Sequence, residues 1–364
     1  MNELNTQVIP LELGENSYDI SVAYGLRNQL AEVLKPWNKG QQWVVLSQQA
    51  IVDLYQPVID QLVDAGYKIG TIIVPGDESA KNIKYAEQVW TQMVEMGCDR
   101  SSILLAMGGG VVGDLGGFVA ATYMRGIPFI QLPTTLLAMV DSAIGGKTAV
   151  NLSAGKNLVG AIYQPKAVLV DPGFLQTLPK RNVISSLAEA IKYGFIRDKS
   201  IFDTFVSRYE DLISLYDEAL LSEIIAKSCR IKAQIVSNDQ FEGGERKLLN
   251  YGHTIGHAFE TIQAYAGLYH GEAVLYGMKC ANYISHKKGL LSKDQYEQAR
   301  EVLDRFELPE LGEVTAERVL EIVAHDKKNI NGKLSFILID DIGNGVIKTD
   351  VTPEDIVDSL KVVA

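Results

Sequence analysis

The chain has 364 residues, 47% of them hydrophobic and 22% charged, which fits a soluble globular protein of about two domains. Its formal net charge of −11 argues against a nucleic-acid binder, because neutralising phosphates needs a basic face. A small anionic substrate stays open, since a local cluster of Lys and Arg can oppose the global sign.

Cys98, Cys229 and Cys280 lie far apart and form no CxxC pair, as expected of reduced thiols in a cytosolic enzyme. The opening MNELNTQVIPLELG has neither a basic nor an apolar signal region, and no apolar run approaches the ~18–20 residues of a membrane helix. A cytoplasmic protein with no membrane contact is expected.

In chain order, WVVLS (43–47), IGTIIVP (69–75), SILLAMGGG (102–110), IPFIQLP (127–133) and AVLVDP (167–172) read as buried strands. Segments 49–66 and 81–97 between them carry apolar residues at helical spacing. This alternation predicts a parallel sheet covered on both faces, with ligands at the carboxyl ends of its strands. From 180 to 325 the pattern turns to long helices, such as LSEIIAKSCRIKAQIVS (221–237) and GEAVLYGMKCANYISHKKG (271–289), with no further strand before KLSFILI (333–339). The expected architecture is an α/β domain over 1–175 followed by a mainly α-helical domain over 176–364.

Several stretches could carry chemistry. MGGGVVGDLGGFVAA (107–121) leaves a strand and enters a helix, where glycines allow a tight turn and the helix N–H groups can hold a pyrophosphate. Its spacing is not the GxGxxG dinucleotide fingerprint, and close packing alone would also explain such glycines. PGDESAK (75–81) offers Glu78 and Lys81 after another strand. LPTTLLAMVDSAIGGKTAVN (132–151) and SAGKNLVGAIYQP (153–165) set lysines in glycine-rich turns, a common arrangement for phosphate. Within LLNYGHTIGHAFE (248–260), read as helical throughout, His253 and His257 are four apart and share a face. That spacing suits one metal ion, with His270 or Glu189 as candidate further ligands. Thr254 stands where HExxH requires its glutamate, so a zinc-protease site is excluded.

Taken in order, GGGVVGD, RGIPFIQLPTTLLAMVDSAIGGKTAVN, GKNLVGAIYQP, LAEAIKYG, ERKLLNYGHTIGHAFE and HGEAV resemble the 3-dehydroquinate synthase family, from about residue 75 to 335. The resemblance implies a Rossmann-like NAD-binding domain, a helical metal-binding domain, and a homodimer with its active site in the cleft between domains. It implies a carbon–oxygen lyase that converts 3-deoxy-D-arabino-heptulosonate 7-phosphate to 3-dehydroquinate and phosphate in the shikimate pathway. The family's chemistry is transient NAD-dependent oxidation at C5, phosphate elimination, re-reduction and intramolecular aldol closure. A metal chelated by the vicinal hydroxyls would lower the alcohol's pKa, and the substrate's own phosphate is expected to take the acidified C6 proton. Lysines and an arginine would stabilise the phosphate's charge.

By the same resemblance, zinc, or cobalt on the same ligands, falls on Glu189, His253 and His270, with His257 behind them near the substrate. The NAD contacts fall on Glu78, Lys81, Gly109, Gly110, Val111, Asp114, Thr134, Thr135, Asp141, Lys147, Lys156 and Thr177. Substrate contacts fall on Asp141, Lys147, Asn157, Lys192, Lys232, Arg246 and Asn250, with Lys147, Lys192, Lys232, Arg246, Asn250 and His257 the expected catalytic set. Arg125 would reach the phosphate held by the neighbouring subunit, and Lys327 or Lys328 the carboxylate end. Gln48–Gln49 depart from the family, which more often has Asp or Asn beside the adenosine.

Two rivals share much of this plan. A 2-deoxy-scyllo-inosose synthase starts from glucose 6-phosphate, which has no carboxylate for Arg246 to receive, and a polar site of that kind rejects a substrate lacking its partner. A metal-dependent polyol dehydrogenase of the glycerol-dehydrogenase type would have no use for phosphate-binding lysines at 147 and 156.

Overall fold

The structure, a computed structural model, describes residues 4–263, 267–325 and 335–363, and these divide into two compact units. The first comprises residues up to Leu178 together with Glu218–Ser237. Its strands are β1 (Gln7–Leu11), β2 (Tyr18–Val22), β3 (Gln42–Ser47), β4 (Lys68–Ile73), β5 (Ile103–Gly108), β6 (Phe129–Pro133), β7 (Lys147–Leu152), β8 (Gly155–Ile162) and β9 (Ala167–Val170). Helices α1 (Leu30–Leu34), α2 (Gln49–Asp64), α3 (Ile83–Glu95) and α4 (Gly110–Thr122) run between them.

Seven strands form one sheet in the order β1-β2-β9-β6-β5-β3-β4, parallel from β2 to β4 and antiparallel only between β1 and β2. Val44, Val45 and Leu46 of β3 are wholly buried, and successive strand residues point to opposite faces, so both faces are covered as expected. The chain places β4 on one side of β3 and then turns to place β5 on the other. That reversal puts the topological switch point outside the carboxyl ends of β3 and β5, where open α/β sheets bind ligands. Pro57 kinks α2, whose Tyr55 departs from helical backbone at φ −125° and ψ 27°.

Two pairings escape the sequence reading. The N-terminal segment forms the β1–β2 hairpin, and the lysine-bearing glycine turns form a second antiparallel hairpin, β7–β8. Lys147 therefore opens a strand, while Lys156 sits just past the hairpin tip.

The second unit holds α5 (Lys180–Ile196), α6 (Lys199–Ser214), α8 (His253–Ile262), α9 (His270–Lys287), α10 (Lys293–Leu303), α11 (Ala316–His325), the hairpin β10 (Phe336–Asp341) and β11 (Asn344–Lys348), and α12 (Pro353–Ser359). Helix α9 is its hub, packed against α5, α8, α10, α12 and β10. The intervening helix α7 (Glu218–Asn238) falls with the first unit up to Ser237, whereas the 175/176 division places it in the helical domain. Specific bonds explain the difference: Lys232 Nζ reaches the Asp141 carboxylate at 2.7 Å, and Ser237 Oγ accepts from the Glu12 amide at 3.0 Å. No helix among the described residues is long and apolar enough to cross a membrane.

Candidate active site

The histidine stretch is not one continuous helix. A 3-10 turn runs Glu245–Asn250, Gly252 takes a left-handed φ of 79°, and α8 begins at His253. A Cβ at Gly252 would meet the Val274 carbonyl at 2.8 Å, so the break also lets α8 press against α9. Asn250 thus lies on the preceding turn, which corrects its reading as a helical residue.

His253 and His257 occupy α8, His270 opens α9, and Glu189 lies on α5. The three imidazoles can each offer a ring nitrogen, all within 4.8 Å of one another. Glu189 is fully buried, and its Oε1 lies 3.6 Å from His253 Nε2 and 3.7 Å from His270 Nε2. That oxygen has no hydrogen-bond partner, an orphaned acceptor that a cation would satisfy. Ligands about 2.0–2.1 Å from one tetrahedral ion lie roughly 3.3 Å apart, close to both separations. Glu189, His253 and His270 therefore fit a divalent metal of zinc type. His257, 42% exposed at its side chain, instead has Nε2 4.0 Å from Glu260.

One buried cation adjoins this group and a second lies on the turn that leads into α8. Lys192, one turn after Glu189 and 1% exposed, pairs closely with the other oxygen of Glu189. Arg246 is 2% exposed, and its Nη1 donates to the Gln240 carbonyl at 2.5 Å. Asn250 donates to Glu242 at 2.5 Å, and Glu242 is a non-glycine residue held at φ 61°, a backbone strain often found at functional sites. Asp239 organises the loop that carries them by accepting from the amides of Gly243, Gly244 and Arg246 at 2.9, 2.7 and 3.0 Å. Burial raises its pKa, but those three donors outweigh it and hold the carboxyl below its ordinary value.

In the first unit, the β5–α4 turn lies at the switch point. No side chain caps the N-terminus of α4. A Cβ at Gly109 would come within 3.0 Å of the Thr135 side chain, so the turn is packed too closely there for a larger residue. Gly117 follows the packing reading instead, since a Cβ there would meet Thr148 at 2.3 Å. The Thr134 hydroxyl, at the carboxyl end of β6, is buried without a partner. Lys81 reaches Asp114 at 2.5 Å and Glu78 at 3.8 Å; burial pushes the Asp114 carboxyl up, and Lys81 opposes it. Uncapped helix end, close-packed glycine turn and orphaned hydroxyl fit a dinucleotide. Thr135 accepts from the Ala138 amide at 3.3 Å, and Thr177 exchanges a 2.8 Å bond with Tyr55. Val111 lies in the first turn of α4.

Asp141 and Lys232 meet in this unit, with Asn157 at φ 55° beyond the β7–β8 tip. Arg125 is exposed on a turn in which Met124 and Arg125 both adopt left-handed backbone, at φ 48° and 69°. Gln48 donates to the Gly76 carbonyl at 3.4 Å, past the carboxyl ends of β3 and β4. Lys327 and Lys328 lie outside the described residues.

Family models described as 3-dehydroquinate synthase N-terminal and C-terminal match residues 71–185 and 186–329. The 3-dehydroquinate synthase of Desulforamulus reducens is 42% identical over 351 residues, covering 96% of this chain and 98% of its own length. The chain belongs to the 3-dehydroquinate synthase family.

The fold is shared more widely among the family's structural neighbours. The 2-epi-5-epi-valiolone synthase of Streptomyces hygroscopicus, solved with NAD+ and Zn2+, superposes with a TM-score of 0.88 at 28% identity, over 97% of this chain and 98% of its own. A 2-deoxy-scyllo-inosose synthase, complexed with carbaglucose-6-phosphate, NAD+ and Co2+, gives 0.84 at 24% identity, over 99% and 100%, a likeness of fold.

Sequence reasoning missed three residues that shape these sites. Asp239 is one, signalled by the Gly243–Gly244 pair it tethers. Glu260, buried beside His257 and His270, is another, one turn beyond His257 on α8. Asn151 is the third: it donates to Glu78 at 2.7 Å and accepts from the Asn157 amide at 2.8 Å, tying the hairpin to the Glu78–Lys81 loop. No local pattern marks Asn151, because its Glu78 partner comes from a loop far off in sequence.

Proposed function

We propose that this protein is a 3-dehydroquinate synthase, a carbon–oxygen lyase that converts 3-deoxy-D-arabino-heptulosonate 7-phosphate to 3-dehydroquinate and phosphate. The observation that carries this reading is the orphaned Glu189 oxygen facing two imidazole nitrogens, in a chain 42% identical to such an enzyme over 96% of its length. Glu189, His253 and His270 would hold a zinc ion, or cobalt, which would supply Lewis acidity toward a substrate hydroxyl. NAD, when bound, would supply hydride exchange.

The chain's own residues bind and orient. In the nucleotide site, Gly109, Gly110 and Val111 offer backbone N–H groups to the pyrophosphate. Glu78, Lys81, Asp114, Thr134, Thr135, Asp141, Lys147, Lys156 and Thr177 surround the rest of the cofactor. Arg246, a planar donor fork held by the Asp239 loop, is assigned the substrate carboxylate. Asn250 and Asp141 take hydroxyls, and Lys147, Asn157, Lys192 and Lys232 the phosphate and adjoining oxygens. His257, beside the metal ligands but directed at Glu260, hydrogen-bonds substrate rather than metal. Arg125, presented on strained left-handed backbone, contributes to the partner copy's phosphate site in a homodimer. Lys327 or Lys328 is assigned the carboxylate end. A soluble, multiply charged substrate suits a cytoplasmic enzyme.

The test follows phosphate release from the heptulosonate phosphate with NAD far below substrate concentration, with and without a strong chelator. Many phosphates per NAD, abolished by the chelator and restored by zinc or cobalt, support the reading. Release that ignores metal removal refutes the metal assignment.

A further inference from the structure

Ligation through Nε2 requires each imidazole to carry its proton on Nδ1. His253 Nδ1 lies 3.1 Å from the Tyr251 carbonyl oxygen, which can only accept. His270 Nδ1 lies 3.3 Å from Glu260 Oε2. Both rings therefore donate from Nδ1 and turn Nε2 toward Glu189. The two acceptors differ in kind. Tyr251 offers a backbone carbonyl that any residue would supply, whereas Glu260 offers a side-chain carboxylate only 9% exposed.

The same Glu260 oxygen lies 4.0 Å from His257 Nε2, one helical turn before it. A single carboxylate thus faces the outer nitrogen of one histidine and the Nε2 of another. The three rings are close enough to compete for one ion, with centroids 5.2–5.8 Å apart. Something must decide which two of them bind with Glu189.

We infer that Glu260 is the positioning residue of the metal centre: it fixes the Nδ1-protonated form of His270 as a ligand and holds His257 out of the coordination set. The inference rests on the metal reading proposed above. It gives Glu260 two effects on binding, a stronger donor in His270 and the exclusion of His257. Supporting carboxylates of this type typically contribute 10–100-fold to metal affinity.

The test titrates metal-free protein with zinc against a chromophoric competitor, and with cobalt while recording its visible absorption. Wild type, Glu260→Gln, Glu260→Ala, His257→Ala and Glu260→Ala/His257→Ala are compared, with far-ultraviolet dichroism of the metal-free forms as the folding control. Glu260→Ala should bind zinc roughly 10–100-fold more weakly and alter the cobalt spectrum. Glu260→Gln, whose amide oxygen still accepts from Nδ1, should recover part of that loss. His257→Ala should leave the wild-type affinity nearly unchanged but weaken binding further in the Glu260→Ala background, where the freed imidazole substitutes as a ligand.

Wild-type affinity and spectrum in Glu260→Ala would overturn the inference. If that variant does not fold, a wild-type affinity and spectrum in Glu260→Gln overturns it instead. Failure of wild type to bind one metal per chain would refute the metal reading itself, a separate result.

Discussion

Replacing Glu189 by Gln tests the buried Glu189–Lys192 pair beneath the candidate metal site, with metal withheld. The two side chains are 0% and 1% exposed, so the Lys192 ammonium would lose its carboxylate partner where water cannot replace it. Removing one member of a buried pair costs about 3–5 kcal/mol. Gln keeps the volume and an accepting oxygen, which argues for the lower end, about 3 kcal/mol. For a unit of this size each kcal/mol shifts the melting temperature by about 2–4 °C, giving a fall of roughly 6–12 °C. The assay is thermal melting of chelator-treated wild type, Glu189→Gln, Lys192→Met and the double variant. The double variant should melt above the sum of the two single losses, with a coupling of at least about 1 kcal/mol, because it leaves no buried charge. Strict additivity, or a Glu189→Gln loss near zero, would refute the claim that these groups stabilise each other before metal binds.

Thr134→Val removes a buried hydroxyl that has no hydrogen-bond partner. Its melting temperature should hold or rise, while the NAD dissociation constant rises about 2–10-fold from one lost hydrogen bond; calorimetry measures both. Asp239→Ala should release the loop bearing Arg246, lowering kcat/KM while leaving NAD affinity intact, as steady-state kinetics and NAD titration would report. The Asp239 carboxyl is held below its ordinary value, so its contribution is present above about pH 4 and lost as pH falls through the lower folded value. Acid melting curves of wild type and Asp239→Asn should therefore converge at low pH, and curves that stay parallel there would contradict the assignment.

Much of this was legible before the fold was seen, for reasons of local physics. Continuous apolar runs such as WVVLS and SILLA mark strands buried on both faces, and the glycines that follow SILLAM mark where a helix begins. The i, i+4 histidines point to a candidate metal site because a helix face brings them together whatever surrounds it. Glu189 joins them from a separate helix, a contact that no spacing encodes. The β7–β8 hairpin reads as glycine-rich turns because its glycines and lysines break strand periodicity, and its pairing with the Glu78 loop runs through Asn151. Helix α7 carries an ordinary amphipathic pattern, so nothing in it announces that Lys232 joins Asp141 of the first unit. The helix break before His253 was hidden in Gly252, whose left-handed backbone only the packing against α9 demands.

The central claim is best tested by offering the metal-loaded protein 3-deoxy-D-arabino-heptulosonate 7-phosphate and glucose 6-phosphate in parallel, with trace NAD. Phosphate, reduced cofactor and product mass are followed together. The account predicts phosphate and 3-dehydroquinate from the heptulosonate alone, with many turnovers per NAD and no net reduced cofactor. Turnover of glucose 6-phosphate in its place, or accumulation of reduced cofactor without phosphate, would contradict it.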